Sequence, residues 1–209
     1  MAKTEEMKVK ELRVRLTFCE EILGTASANT EIHTDFIASK APDAPSMEEE
    51  IEAIGKEAVE AKAMTVFPKE DGVPFIWDYQ IRGFFKDACG VLRKVGGSES
   101  SKIKAYKKEI DGLVFVNERK IPFIGISTSD IGECQRPLRG QTAQGERIAL
   151  AHSETVPAGT TVEFTITCLK GDLMKAVTEW LDYGKLRGLG QWRNSGKGRF
   201  TWEEIELSE

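Results

Sequence analysis

Apolar and polar residues alternate over residues 9–18 (VKELRVRLTF), with Leu12, Val14, Leu16 and Phe18 on one side and Arg13, Arg15 and Thr17 on the other. That spacing predicts a half-buried strand whose outer face is polar and basic. A second alternating run, 161–169, sets Val162, Phe164, Ile166 and Cys168 against Thr161, Glu163, Thr165 and Thr167. Shorter strands are expected over 112–116 and over 199–207 (RFTWEEIEL), and a hairpin over 64–77 (MTVF, PKEDG, VPFIW) turns at Asp71-Gly72. Helical spacing takes over at 79–95, where Ile81, Phe84, Phe85, Ala88 and Leu92 share a side and Arg82, Lys86 and Arg93 lie opposite. Residues 173–183 predict another helix, opened by Asp172 and stopped by Gly184. Residues 46–63 predict a third, with Ser46 and Glu49 as a capping box and Met47, Ile51, Ile54 and Ala58 as the stripe.

Two long excursions interrupt this pattern, at 24–76 and at 119–160. Without them the order is strand, helix, strand, strand, helix, strand. This order predicts an α+β domain of ferredoxin-like, RNA-recognition-motif type: an antiparallel sheet with two packing helices on one face and the other face free. The expectation is a single domain over 1–209, with a helical insertion between strand 1 and helix 1 and a projecting hairpin arm. The arm is read from the basic, small-residue segment 134–147 (CQRPLRGQTAQGER), which carries Arg136, Arg139 and Arg147.

Between the last helix and the last strand lies 188–200, GLGQWRNSGKGRF. Gly188, Gly190, Gly196 and Gly198 frame Trp192 and Arg193, and Lys197 and Arg199 follow. No carboxylate occurs from Lys185 through Arg199. Successive backbone N–H groups in such a loop can form an anion-binding concavity, so a phosphate-bearing partner is expected on Arg193, Lys197 and Arg199. The alternative is a tight helix-to-strand connector that binds nothing. The loop is no Walker motif, because no GK[ST] follows the glycines, and no dinucleotide fingerprint, because it follows a helix and opens a strand.

The formal net charge of -5 argues against a uniformly basic nucleic-acid binder, but the charges segregate. Cations collect at 82–108 and in the Gly-rich loop, and acids at 43–60 and at the C-terminal end. A two-signed surface of this kind also permits head-to-tail self-association. Hydrophobic residues at 40% and charged residues at 30% fit a water-soluble globular chain. No apolar run approaches the ~20 residues of a membrane span. The four cysteines show no C-x-x-C spacing, so reduced thiols, a cytoplasmic setting and no metal are expected.

Taken together, these segments resemble the RAMP (repeat-associated mysterious protein) superfamily, which supplies backbone subunits and crRNA-processing nucleases of CRISPR systems. The Gly-rich loop 188–200 is similar to the family's signature loop before its last strand. VPFIWDYQIRGFFKDA (73–88) resembles the hairpin-then-helix motif, with Arg82 and Gly83 as its basic residue and glycine. ETVPAGTTVEFTI (154–166) resembles the turn and strand that follow the projecting hairpin, and the first strand fits the family's start. The chain departs from the pattern where Trp77-Asp78-Tyr79-Gln80 replaces Pro-Gly-Ser-Ser, and the stretch around 47–63 has no counterpart. The resemblance implies single-stranded RNA (or other single-stranded nucleic acid) bound along a groove, in a filament-like backbone of identical or related RAMP subunits, or a stand-alone or phage-type relative. The binding residues it implies, with the charge pattern, are Arg13, Arg15, Arg82, Lys86, Arg136, Arg139, Arg147, Gly188, Gly190, Trp192, Arg193, Gly196, Lys197, Gly198 and Arg199.

Catalytic readings are narrower. His33 near Asp35, in the loop after strand 1, has the residue types for general-base attack through a 2′-OH or for metal-dependent cleavage in the resembled family. A solvated or capping role is the simpler reading for both. His152 reads as core or edge packing. A binding protein without cofactor is therefore the leading expectation. A metal-independent endoribonuclease and a non-binding mimic of a RAMP filament are the alternatives.

Overall fold

The structure, a computed structural model, describes residues 9–28, 64–142 and 145–206. The expected helix over 46–63 and the candidates His33 and Asp35 lie outside these residues. The strands are β1 (Lys10–Phe18), β2 (Ile22–Leu23), β3 (Ala26–Ser27), β4 (Thr65–Val66), β5 (Lys69–Glu70), β6 (Val73–Trp77), β7 (Val114–Val116), β8 (Lys120–Ile124), β9 (Gly132–Thr142), β10 (Gly145–Val156), β11 (Thr161–Cys168) and β12 (Phe200–Glu204). The helices are α1 (Asp78–Leu92), α2 (Tyr106–Leu113) and α3 (Leu173–Arg187). The fold is thus α+β, as the sequence predicts.

The main sheet runs β12-β1-β11-β8-β6-β5, with β7 joined to the same edge of β11 as β8. Its pairings are antiparallel. On the inner face Leu12 pairs with Ile166, Val14 with Phe164 and Leu16 with Val162, and all six are buried under α1 and α3. On the other face Arg15 sits opposite Glu163 on β11 and Glu203 on β12. Burying a Leu, Val or Phe side chain contributes about 1.5–3 kcal/mol, whereas an exposed ion pair contributes about 0–1 kcal/mol. The apolar face therefore sets the register, and the Arg–Glu pairs follow from it.

A second sheet, β2-β10-β4-β3, is seeded by the end of β10. Only Ser153, Thr155 and Val156 of β10 reach β2 or β4, whereas β9 pairs with β10 from Gly145 to Thr155. Residues 145–152 therefore continue as a two-stranded ribbon about 27 Å long at ~3.4 Å per residue. The segment 134–147, read from the sequence as an arm, lies within this hairpin, called the arm below.

Several boundaries differ from expectation. The hairpin at 64–77 turns at Asp71-Gly72, but its first strand is Lys69–Glu70; Thr65 and Val66 instead pair with β3 and β10. Helix α2 runs through Leu113, so the strand expected at 112–116 is reduced to Val114–Val116. Asp172 precedes α3 without a side-chain cap, and the helix runs past Gly184 to Arg187, stopping where Gly188 takes φ 75. Gly184 owes its place to packing: a Cβ there would lie 2.3 Å from the ring of Phe200.

Gly184→Ala should therefore overpack the α3–β12 contact and cost about 1–3 kcal/mol, lowering the denaturant midpoint. Cys89 and Cys168 are buried, and burial pushes the Cys168 thiol up to about 11. An aromatic disulfide reagent at pH 8 should consequently label Cys19 in the folded protein and reach Cys168 only after denaturation.

Candidate nucleic-acid interface

The Gly-rich loop is fixed by its own backbone. The Leu189 N–H donates to Gly198 O (2.9 Å), the Gly198 N–H to Glu21 O (2.8 Å), and the Cys19 N–H to Arg199 O (2.7 Å). At Gly198, with φ 69, a Cβ would sit 1.9 Å from Leu189 O, so only glycine allows this crossing. The N–H groups of Gly188, Leu189, Ser195, Gly196 and Gly198 all donate to protein carbonyls. These five are therefore engaged within the protein.

The loop's cations are also engaged. Arg193 and Arg187 both hold Asp87 of α1, at 2.8 and 2.9 Å; Lys197 pairs with Glu21, and Arg199 with Glu20 at 3.0 Å. The loop sequence lacks carboxylates, but the end of β1 and α1 bring them in. The other candidates are likewise engaged. Arg13 and Arg15 share Glu163 (3.4 and 2.7 Å), Arg15 also reaches Glu203 (3.0 Å), Arg82 holds Asp78 (3.0 Å), and Lys86 holds Asp111 (2.5 Å). The carboxylates Glu163 and Glu203 raise the Arg15 pKa further above its usual value.

Arg136 differs. It is 8% exposed; its Nη2 donates to Gln191 Oε1 (3.0 Å), and its guanidinium lies 5.1 Å from the centre of the Trp192 ring. Gln191 in turn donates from Nε2 to Gly24 O (2.7 Å), linking the arm, the loop and the end of β2. Trp192 takes the left-handed conformation, φ 53, which costs a non-glycine residue about 1–3 kcal/mol. The side chains of Arg139 and Arg147 lie outside the described set; in backbone register Arg139 faces Ile148 and Arg147 faces Gly140.

Between α1 and the loop is an open cleft of about 450 Å³, edged by Tyr79, Gln80, Gly83, Phe84, Gly190 and Arg193. Gln80 shapes its rim: Oε1 accepts from the Trp77 N–H (2.7 Å), and Nε2 donates to Thr25 Oγ1 (2.5 Å). A Cβ on Gly83 would meet nothing within 4 Å, whereas one on Gly190 would press on Ile22 and Leu23 O at 3.1 Å. Beside the cleft, Arg119 holds Asp78 and covers the stacked rings of Trp77 and Tyr79, 5.1 and 5.7 Å from their centres. Burial raises the Tyr79 pKa, so its hydroxyl stays neutral in ordinary buffers. Tyr79, Arg119 and Gln191 had no local sequence signal; the β6–β8 pairing and the loop's folding place them.

His152 lies at the root of the arm, half-buried, with Nδ1 2.8 Å from Glu133 Oε1; that hydrogen bond holds the Glu133 carboxyl below its usual range. Among the described residues no group of three His, Cys, Asp or Glu could hold a metal, and no helix is long and apolar enough to cross a membrane.

No protein-family model matches the chain, and no curated protein matches it either. Solved structures do resemble it. A chain of the type III-B Cmr-beta complex bound to cognate target RNA aligns with 96% of this chain at 14% identity, TM-score 0.56. This chain spans only 60% of that one. A chain of a type IV-B CRISPR complex aligns with 96% at 13% identity, TM-score 0.50, over 92% of its own length. At these identities the likeness is one of fold, and that fold is shared with subunits of CRISPR complexes.

Proposed function

We propose that this chain is a single-stranded nucleic-acid-binding subunit of the RAMP kind, which takes RNA along the cleft between α1 and the Gly-rich loop. On this reading it assembles with copies of itself or related subunits into a filament-like backbone. The pairing β12-β1-β11-β7, with α1 and α3 on one face, supports a ferredoxin-like core within one domain. The likeness of fold to the chain from the RNA-bound Cmr-beta complex points the same way.

The observation that carries the reading is Gly83. Glycine inside a helix costs roughly 0.5–1 kcal/mol relative to alanine, and the fold has open space for a Cβ at that position. Among the described residues nothing lies close enough to require the glycine. A strand approaching α1 closely through the cleft would require it. The neighbouring cations, Arg82, Lys86, Arg193, Lys197 and Arg199, then exchange carboxylates for phosphates rather than meeting them unopposed. Such exchange makes binding weaker and less salt-dependent than the number of cations alone implies.

Fluorescence anisotropy with a labelled oligouridylate of about 15 nucleotides should show binding at low salt that weakens as salt rises. No change in anisotropy at low salt would reject the proposal. Gly83→Ala should hold or raise the melting temperature, by ~0.5–1 kcal/mol in stability, while weakening binding; unchanged affinity would remove the cleft from the pathway. Glu20→Gln with Glu21→Gln should release Arg199 and Lys197 and raise affinity several-fold, read in the same titration.

A further inference from the structure

The main sheet ends at β12, and that edge is open. The Cys19 N–H donates to Arg199 O (2.7 Å) and the Ile205 N–H to Arg13 O (3.0 Å). Between these two bonds the register pairs Thr17 with Thr201 and Arg15 with Glu203. Hydrogen-bonded and non-bonded pairs alternate in an antiparallel ladder, so the N–H and C=O groups of Trp202 and Glu204 point away from β1. Among the described residues no strand takes them up. Natural edges are blunted by shortness, proline, bulges or charge. The opposite edge, β5, is only two residues long. Strand β12, FTWEE, is five residues in unbroken register without proline, and relies on charge alone.

That charge has one sign. Glu203 holds Arg15 at 3.0 Å. Glu204 and Glu206 are exposed and meet no cation among the described residues. A second β12 laid alongside would set glutamate near glutamate, so the edge repels its own copy. A strand with lysine or arginine at those positions gains where the copy loses. Trp202 is half-buried, its indole N–H donating to Asp182 of α3 (2.9 Å), and its open side offers apolar surface to an added neighbour. We infer that the free edge of β12 docks a protein partner, an extended basic segment that joins the sheet as a further strand. The partner's backbone pairs with Trp202 and Glu204, an apolar side chain covers Trp202, and basic side chains reach Glu204 and Glu206. None of these residues edges the cleft beside α1, so the inference stands independently of the nucleic-acid reading.

The test uses the full chain and a labelled ten-residue peptide alternating valine and lysine, with glutamate for lysine in the control. The lysine peptide should bind about ten-fold more tightly. In its complex the amide hydrogens of Trp202 and Glu204 should exchange about ten-fold more slowly than in the free chain, while those of Thr201 and Glu203, already bonded to β1, change little. Glu204→Pro removes one outward donor and leaves the β1 ladder intact. It should keep the melting temperature and weaken the lysine peptide about five-fold beyond Glu204→Gln. Glu204→Lys with Glu206→Lys should reverse the preference toward the glutamate peptide, a result that does not depend on how the proline variant folds. No binding of the lysine peptide, equal binding of both peptides by wild type, unchanged exchange at Trp202 and Glu204 with peptide bound, or a preference that the double lysine variant leaves in place overturns the proposal. So does dimerisation of the wild type that Glu204→Pro abolishes, which would assign the edge to a second copy.

Discussion

The backbone crossing of Leu189 and Gly198 is the constraint on which the candidate interface depends. Two chain segments pass so closely that one of them cannot carry a side chain. The crossing is tied to the end of β1 through Glu21 and Cys19, and β1 is held between β11 and β12. The base of the loop is therefore tied to the sheet it joins. Gln191, Trp192 and Arg193 inherit their positions from it rather than from a core of their own. That is how a half-exposed tryptophan can hold a left-handed conformation: its neighbours on both sides are already fixed.

The same folding brings cations and carboxylates together. The basic loop, the basic strand face and the polar side of α1 each find acids donated from other elements: Glu20 and Glu21 after β1, Asp87 from α1, Glu163 from β11 and Asp111 from α2. Exposed pairs of this kind add little stability, so their main effect is on the field. They flatten the local potential and weaken long-range attraction of anions. The two-signed composition of a chain with net charge -5 is thus expressed residue by residue as well as region by region.

Much of the fold was legible because its signals are local. Alternation in β1 and β11, the helical stripe of α1, and the turn at Asp71-Gly72 need no tertiary knowledge. The misplaced features are those decided at a distance. Gly184 has the look of a helix stop, but it is a packing glycine beneath Phe200, sixteen residues away by number and adjacent only in space. The basic loop looked unopposed because Asp87 precedes Arg193 by more than a hundred residues. Thr65 and Val66 looked like one strand of a hairpin because nothing local announces pairing with β10. Arg136 and Trp192 were each visible as candidates, but that they touch follows from how the arm is rooted.

Beyond Ser153 the arm's two strands pair through their backbones only with each other among the described residues, with Arg136 touching Gln191 and Trp192, while their roots are clamped in the second sheet. Such a ribbon can be lengthened or shortened by matched pairs of residues without touching the core, each step of two per strand shifting the tip by about 7 Å and preserving which side chains share a face. Odd changes invert the faces. Reach is thus adjustable along a discrete ladder, and evolution or a protein engineer could retune it without redesigning the body that carries it.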